Sequence, residues 1–235
     1  MSFKAITFTT TIMTVLLSVQ GFSGNLTGKI NFKGTPTAKQ MIKMNADPKC
    51  FKMHGNKDVA SEQTTVNSNG SLKDVFIYVK KGLEGKTFPT PTEKVTIDQK
   101  GCMYTPHVFG IMAKQQLEIV NNDPVIHNIH ALPKNSPAFN IGQPKMGQKN
   151  VKTFDKPEIM VKVKCDVHPW MGAWVGVLNN PFYAVSDDKG NYTIKGLPAG
   201  EYDLEAWHEK FGTQILHVKV GGGDTNNADF TFNSK

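Results

Sequence analysis

The segment that decides the fold is residues 159–178, which read IMVKVKCDVHPWMGAWVGVL. Alternating apolar residues predict a β-strand that runs directly into Cys165, and residues 174–178 predict a second strand after a short loop. Cys165, His168 and Met171 follow one another in that loop at intervals of three residues. They bring a thiolate, an imidazole and a thioether to the end of one strand, and this donor set indicates a soft-metal site.

Outward from this segment, the chain predicts short strands separated by turns. The turn Asn-Asn-Asp-Pro at 121–124 is one strong example, and no stretch predicts a helix of three turns. We therefore expect an all-β protein built from sandwiches. The other predicted strands occupy residues 26–32, 74–79, 95–97, 116–120, 183–185, 191–194, 202–207, 215–220 and 228–232.

The N-terminal residues predict export. Lys4 precedes an apolar, threonine-rich stretch at 5–19, and small residues at 21 and 23 suit a signal peptidase. We predict a secretory signal peptide at 1–23, a periplasmic or extracellular location, and no stable membrane span after cleavage. The alternative, a transmembrane anchor, is disfavoured because the stretch is short for a span.

The chain of 235 residues has a net charge of +7, and all of its basic residues are lysines. Nucleic-acid readers favour arginine forks, so we expect no nucleic-acid partner. The lysines are scattered, which favours an ordinary solvated surface. The weaker alternative is that they steer the protein toward a redox partner with an acidic docking face.

A second imidazole source lies upstream, in the segment VIHNIH at 125–130. His127 falls on the turn after an earlier predicted strand. Two imidazoles, one thiolate and a weak axial thioether are the ligands of a blue-copper site. Strand alternation alone does not exclude the register in which His130 is the ligand, although the pairing with Asn128 favours His127.

The pattern Cys-x-x-His-x-x-Met, with Pro169 after the histidine and Trp170 before the methionine, resembles the copper loop of the cupredoxins. These are the type 1 blue-copper proteins, and the likeness is closest to the amicyanin and plastocyanin group. The resemblance covers residues 75–178 and implies a Greek-key β-sandwich. Upstream segments that also resemble this family are 104–106, 116–123 and 127–130.

The resemblance implies one type 1 copper ion. It makes His127, Cys165 and His168 the equatorial ligands and Met171 the axial ligand. It also implies that Asn128 ties the two ligand loops together.

Around the exposed histidine of cupredoxins lies the electron port, which here comprises His168, Pro169 and Trp170. The alternative for Trp170 is packing in the core. The resemblance implies a one-electron carrier between redox partners and not an enzyme, since four protein ligands leave no open position for a substrate. The alternatives are a sandwich without metal and a non-redox copper-binding or matrix-interaction module, such as a metallochaperone, a sensor or a wall-associated sandwich.

One departure from the amicyanin pattern lies at Val167, where a proline usually precedes the histidine. Unlike proline, Val167 has an N–H group. If this group donates to the Cys165 sulfur, it favours reduced copper and raises the reduction potential. Val167→Pro tests this hypothesis.

The two remaining cysteines, Cys50 and Cys102, predict a disulfide in an oxidising compartment. This bond would pin the long polar segment at 45–71, which predicts an irregular loop, to the copper domain. The alternative is a second metal site that adds His54 or His107.

Residues 184–204 resemble a carboxypeptidase-regulatory-like, transthyretin-type β-domain, and residues 28–34 and 75–79 resemble its opening strands. The cupredoxin segment is then either inserted into this domain or in tandem with it. His208 and His217 are predicted to be structural. The predicted division is 1–23 signal peptide, 24–74 N-terminal β segment with an irregular loop, 75–178 cupredoxin domain and 179–235 regulatory-like domain.

Overall fold

The structure is a computed structural model that describes residues 23–36, 38–64 and 66–234. The predicted signal peptide therefore lies, apart from Ser23, outside the described residues. Within these ranges, no helix combines the length and the apolar character that crossing a membrane requires.

Strands dominate the described residues, together with one short helix, α1 (Pro48–Met53), and 3₁₀ turns at Met44–Ala46 and Glu62–Thr64. The strands are β1 (Ser23–Lys33), β2 (Met41–Ile42), β3 (Val59–Ala60), β4 (Phe76–Lys81), β5 (Val95–Gln99), β6 (Tyr104–Thr105), β7 (Val108–Met112), β8 (Leu117–Asn121), β9 (His127–Ala131), β10 (Phe139–Gln143), β11 (Gln148–Lys152), β12 (Glu158–Lys164), β13 (Gly172–Leu178), β14 (Tyr183–Val185), β15 (Asn191–Pro198), β16 (Gly200–His208), β17 (Gly212–Val220) and β18 (Phe230–Asn233). The prediction of an all-β protein is confirmed.

The first sandwich packs a sheet of order β10-β9-β12-β13-β7 against a sheet of order β11-β8-β5-β6. The pairs β13–β7 and β5–β8 are parallel, and the other neighbouring strands of the two sheets are antiparallel. Ile97, Ile119, Val163 and Val175 are fully buried between the sheets. The loop 165–171 leaves this core at the end of β12 and returns to it in β13.

The second sandwich packs the sheet β15-β1-β18 against the sheet β14-β4-β16-β17. Its core includes Leu26, Ile30, Ile77 and Leu204, none of which is exposed to solvent. Two of its strands, β1 and β4, precede the first sandwich in sequence, and five follow it.

Strand β4 lies inside the segment 75–178 that the sequence assigns to the first sandwich. In the structure it is hydrogen-bonded between β14 and β16 of the second sandwich, where Val79 pairs with Leu204. The continuous apolar run of β4 identifies it as a strand, but such a run carries no information about the partner strand.

The segment 41–60, which we call the strap, crosses the end of the first sandwich that carries loop 165–171. Asp47 accepts hydrogen bonds from the backbone N–H groups of Lys49 and Cys50, and Pro48 occupies the first turn of α1, so a short helix forms where the sequence predicts an irregular loop. Met44 and Cys50 anchor the strap in the core of the first sandwich.

The two sandwiches meet through an apolar cluster. Phe76 and Tyr78 of β4 pack with Val108 and Leu178 of the first sandwich. Gly110 marks the closest approach, because a Cβ atom at this position would lie 2.2 Å from the Tyr183 ring. The second sandwich is thereby held beside β7 and β13, and β13 is the strand that follows loop 165–171.

Candidate metal centre

Three predicted ligands meet at the end of the first sandwich. The nearest possible ligand atoms of His127, Cys165 and His168 all lie within 4.8 Å of one another. Nδ1 of His127 lies 3.0 Å from Nδ1 of His168, which in turn lies 4.0 Å from the Cys165 sulfur. All three side chains are buried, with 0 to 3% of each residue exposed.

These separations suit a single metal ion. Metal–imidazole bonds of about 2 Å place neighbouring ligand atoms about 3 to 4 Å apart. Two imidazole nitrogens that face each other at 3.0 Å with lone pairs repel unless a proton or a cation lies between them. The chemistry of the donor set therefore fits a copper ion.

His127 is the first residue of β9, whereas the sequence places it on a turn. Its Nε2 lies 2.8 Å from the Asp123 carboxylate, which also accepts hydrogen bonds from the N–H groups of Gly101 and Cys102. Burial lowers the pKa of His127, but the interactions with Asp123 and Cys165 together outweigh burial and raise this pKa. Since the carboxylate holds the Nε2 proton, Nδ1 keeps a free lone pair toward the centre.

His130, the rival to His127, faces the other side of β9. Its side chain is 25% exposed, and its Nδ1 lies 3.0 Å from Asp166. The alternation of β9 thus turns His127 inward and His130 outward.

His168 lies under the strap. Its Nε2 is 3.1 Å from the Asp47 carboxylate and 3.5 Å from the Cys50 sulfur. Burial lowers the pKa of His168, while hydrogen bonds with Cys165 and Asp47 outweigh burial and raise it. The same Asp47 side chain therefore caps α1 and holds the imidazole.

The strap changes the predicted electron port. The sequence predicts an exposed edge of His168, but only 2% of this residue is exposed. This part of the prediction is wrong, because a segment more than 100 residues upstream folds over the imidazole. Pro169 is exposed and Trp170 is half-buried, so these two residues of the predicted port do reach the surface.

The Cys165 sulfur accepts a hydrogen bond from the His168 N–H at 3.3 Å. The Val167 N–H instead donates to Asn128 Oδ1, also at 3.3 Å. The hypothesis that Val167 donates to the thiolate is therefore wrong, since the loop turns its N–H away from the sulfur. Burial raises the pKa of the Cys165 thiol, but hydrogen bonds with His127 and His168 outweigh burial and lower this pKa to about 5. This shift favours the thiolate form of Cys165.

Asn128 links β9 to loop 165–171. Its Oδ1 accepts hydrogen bonds from the N–H groups of Asp166, at 2.7 Å, and Val167. Its Nδ2 donates to Asn140 and to the Asp166 carboxylate, and its backbone carbonyl accepts a hydrogen bond from the Tyr104 hydroxyl. These contacts fix the spacing between the strand of His127 and the loop of Cys165.

Met171 closes the loop. Its N–H donates to the His168 carbonyl at 3.0 Å, and its carbonyl accepts from the Cys165 N–H at 3.2 Å. The side chain is buried in the same apolar cluster as Cys165. The backbone thus returns Met171 to the vicinity of the cysteine that begins the loop.

Cys50 and Cys102 form a disulfide beneath the strap. His54 binds the Gly101 carbonyl and His107 binds the Glu209 carboxylate, so neither histidine joins the two sulfur atoms. This arrangement does not support the alternative of a second metal site with Cys50 and Cys102.

Three carboxylates around the centre were not predicted as site residues: Asp47, Asp123 and Glu209. A local signal existed for Asp47, because Asp followed by Pro is a typical helix start. Asp123 was part of a predicted turn, but nothing in the sequence indicates its contact with His127. Glu209 comes from the second sandwich, and sequence spacing gives no indication that it lies near the loop.

Comparison with known proteins assigns similarities to both parts of the chain. Residues 161–233 match the sequence profile of the carboxypeptidase regulatory-like domain. The match begins in β12 of the first sandwich and continues through the C-terminal strands of the second. No curated protein matches the chain at a significant level.

Several solved structures are similar to part of the chain. A copper-containing nitrite reductase from Thermus scotoductus SA-01 is 22% identical with a TM-score of 0.34, and the match covers 43% of this chain and 25% of the reductase. A purple cupredoxin from Nitrosopumilus maritimus is 23% identical with a TM-score of 0.31, and the match covers 35% of this chain and 98% of the cupredoxin.

An oxidised proline-to-alanine mutant of amicyanin is 20% identical with a TM-score of 0.32, and the match covers 36% of this chain and 81% of amicyanin. Only a quarter of the nitrite reductase is spanned. The chain is therefore similar to cupredoxins over part of its length and to carboxypeptidase regulatory-like domains over residues 161–233.

Proposed function

We propose that this protein is an exported type 1 copper protein that carries single electrons between redox partners. One observation carries the proposal. Two imidazole nitrogens and a thiolate converge on one buried point, and each imidazole is held from behind by a carboxylate.

The groups that would hold copper are His127 Nδ1, Cys165 Sγ, His168 Nδ1 and the Met171 thioether. Copper bound by these groups would supply a one-electron couple between Cu(II) and Cu(I). Thiolate and thioether suit Cu(I), while imidazole suits both oxidation states.

The protein residues keep this donor set in place. Asp123 and Asp47 orient the two imidazoles, and Asn128 holds the two ligand segments together. The strap and the core exclude water from the donors. Little rearrangement is then needed when the charge at the centre changes by one, which suits electron transfer better than catalysis.

The closed site also distinguishes the carrier from the alternatives. Four protein ligands leave no position for a substrate, which argues against an enzyme. A metallochaperone needs ligands that exchange metal readily, whereas here a disulfide-anchored segment covers His168. We infer that copper is retained.

For the electron port we propose Pro169 and Trp170. The Trp170 ring centroid lies 5.1 Å from that of His168, and the ring is half-buried at the edge of a groove. The partner is a redox protein, and the net charge of +7 favours an acidic docking face on it.

We further propose that the domains are interleaved. Residues 23–81 and 183–233 contribute the strands of the second sandwich, and residues 95–178 form an inserted copper domain. The pairing of β1 with β15 and of β4 with β16 supports this division over a simple tandem.

Titration of the mature protein with Cu(II) tests the function. We expect one equivalent to bind with an intense visible thiolate-to-copper band and a type 1 EPR spectrum, reversible on reduction. Cys165→Ser should abolish the band, while His130→Ala, which changes an outward-facing histidine, should keep it. A wild-type protein that remains colourless would contradict the proposal, and rapid loss of copper to a chelator would favour a metallochaperone.

A further inference from the structure

We propose that Glu209 of the second sandwich is a positioning residue for the copper centre. It acts through His107 on the Gly172 carbonyl, immediately after Met171. This inference rests on the copper site proposed above and gives the second sandwich a role in tuning that site.

The contact is a chain of part-buried hydrogen bonds. Glu209 lies in the turn between β16 and β17, and its Oε1 is 2.5 Å from His107 Nε2. His107 Nδ1 lies 2.9 Å from the Gly172 carbonyl. The other carboxylate oxygen of Glu209 accepts a hydrogen bond from Trp174 Nε1 at 3.0 Å. One carboxylate thereby holds two residues of the first sandwich.

The proton positions follow from the partners. A carbonyl only accepts, so Nδ1 of His107 must donate to Gly172, and Nε2 then donates to the Glu209 carboxylate. Burial lowers the pKa of His107, but the hydrogen bond to Glu209 and the charges of Glu209, Glu62 and Asp74 together outweigh burial and raise this pKa. Burial raises the pKa of Glu209, but the hydrogen bonds with His107 and Trp174 and the charge of His107 together outweigh burial and lower this pKa. Both shifts favour the charged forms, an imidazolium at His107 and a carboxylate at Glu209.

The held carbonyl lies where it affects the axial ligand. Gly172 begins β13 and pairs with Lys164, the residue before Cys165. Met171 precedes it and closes the loop through the Cys165 N–H. A shift of the Gly172 carbonyl therefore moves Met171 relative to Cys165. The potential of a blue-copper site is tuned by its weak axial ligand, so such a shift has a measurable result.

Docking of the two sandwiches does not require this charge pair. The apolar cluster of Phe76, Tyr78, Val108 and Leu178 already joins them, and the Trp174 and Trp207 rings pack at 5.2 Å. The Glu209 side chain is 11% exposed and that of His107 is 7% exposed. Burying two charges carries a desolvation cost that apolar contacts avoid, which argues that the pair serves positioning.

The test compares Glu209→Gln with Glu205→Gln in the copper-loaded protein. Glu205 is the matched control, since it is a buried glutamate of β16 that binds Tyr78 and Lys80 and does not contact the loop. We expect Glu209→Gln to change the ratio of oxidised to reduced copper at a fixed ambient potential by about threefold or more, and to alter the EPR hyperfine splitting. Glu205→Gln should change neither.

Two further measurements isolate the route. The double variant Glu209→Gln/His107→Gln should shift the copper ratio no further than His107→Gln alone, because Glu209 acts through His107. In the metal-free protein, Glu209→Gln should move the carbonyl ¹³C resonance of Gly172, which needs no copper to be read. If Glu209→Gln does not fold, Glu209→Asp takes its place in the copper measurements. The Gly172 resonance is then read in Glu209→Asp and in His107→Gln.

A folded Glu209→Gln protein with an unchanged Gly172 resonance and an unchanged copper ratio would overturn the positioning role. An additive double variant would overturn the route through His107. A wild-type protein that binds no copper would instead overturn the proposed function, and it would do so before any variant is compared.

Discussion

The buried histidines of the two sandwiches have opposite hydrogen-bond partners. At the metal centre, His127 and His168 each face a carboxylate, and the pKa of each is raised despite burial. In the second sandwich, His208 Nδ1 accepts hydrogen bonds from the Lys210 and Phe211 N–H groups at 3.1 and 3.3 Å. Burial lowers the pKa of His208 to about 4.

This difference separates ligands from structural residues. A carboxylate behind an imidazole fixes the proton on the far nitrogen and leaves the near nitrogen with a free lone pair. Backbone N–H groups do the reverse, because they occupy the lone pair. His208 Nδ1 therefore stabilises the β16–β17 turn, whereas His127 and His168 each keep Nδ1 available to bind a cation. His107 has a carboxylate partner but uses its second nitrogen on a carbonyl, which suits positioning and not ligation.

The largest expected effect concerns the disulfide that anchors the strap, whose Asp47 carboxylate lies beside His168. The disulfide Cys50–Cys102 spans a sequence separation of 52 residues. Removing it in Cys50→Ser/Cys102→Ser should lower the free energy of unfolding by about 4 kcal/mol, because the unfolded chain gains loop entropy. Urea unfolding of the metal-free protein measures this change. A loss below about 1 kcal/mol would mean that the strap is fastened mainly by other contacts.

The second effect tests the histidine of the second sandwich through pH. His208 has a folded pKa of about 4 against an ordinary value of 6.5, so protons bind the unfolded chain more tightly. Its contribution to stability is complete above pH 6.5 and is lost as pH falls through 4, by roughly 3 kcal/mol in total. His208→Asn, which keeps an acceptor for the two N–H groups, should lose this part of the pH dependence.

Urea unfolding of metal-free protein between pH 4 and pH 7.5 gives the comparison, with His217→Asn as the control at an exposed histidine. The histidines of the metal centre have raised pKa values, so their contribution has the opposite sign and is lost as pH rises. Both proteins contain His127 and His168. Subtracting the free energy of unfolding of His208→Asn from that of wild type at each pH therefore removes the contribution of these two histidines. Equal pH slopes in the two proteins would remove the contrast between the sandwiches.

Sequence alone predicted the parts of this molecule that depend on local patterns. Alternation and turn residues predicted β12, β13 and most strands of the second sandwich, and spacing predicted which residues of loop 165–171 carry donor groups. In contrast, the position of His127 at the start of β9 and not on a turn depends on where the pairing with β10 begins. The apolar run of β4 does not identify its partner strands, although the resemblance of residues 75–79 to the regulatory-like domain agrees with its place in the second sandwich.

Two contacts near the centre could not be predicted, since each joins residues far apart in sequence. Asp47 and His168 are 121 residues apart, and His107 and Glu209 are 102 apart. The Val167 hypothesis fails for a different reason. Whether the N–H of Val167 or that of His168 faces the sulfur depends on loop torsions, which residue identity does not fix.

The third effect tests the carboxylate behind His127. Asp123→Ala removes the acceptor for the His127 Nε2 proton and for two backbone N–H groups. We expect Cu(II) affinity to fall about 10- to 100-fold, the usual cost of losing a partner of a ligand histidine. Competition titration with a chelator measures the affinity. Asp123→Asn, which keeps an acceptor oxygen, should lose less, and equal affinities in all three proteins would contradict the role of Asp123.

The smallest effect separates the two roles of Asp47, which caps α1 with one oxygen and binds His168 with the other. Asp47→Ala should lower the free energy of unfolding by about 1 kcal/mol through loss of the cap. Asp47→Asn should retain that stability, because asparagine is an equally good cap, yet it replaces the carboxylate beside His168 with a neutral amide.

If the Asp47 carboxylate orients His168 for copper binding, both variants should bind Cu(II) more weakly than wild type. Only Asp47→Ala should have a lower free energy of unfolding in urea. Asp58→Ala, at an exposed aspartate of the strap, is the control for a lost negative charge. Should Asp47→Asn bind copper as tightly as wild type, the carboxylate would serve α1 alone. The contrast with His208 would then rest on His127 and Asp123.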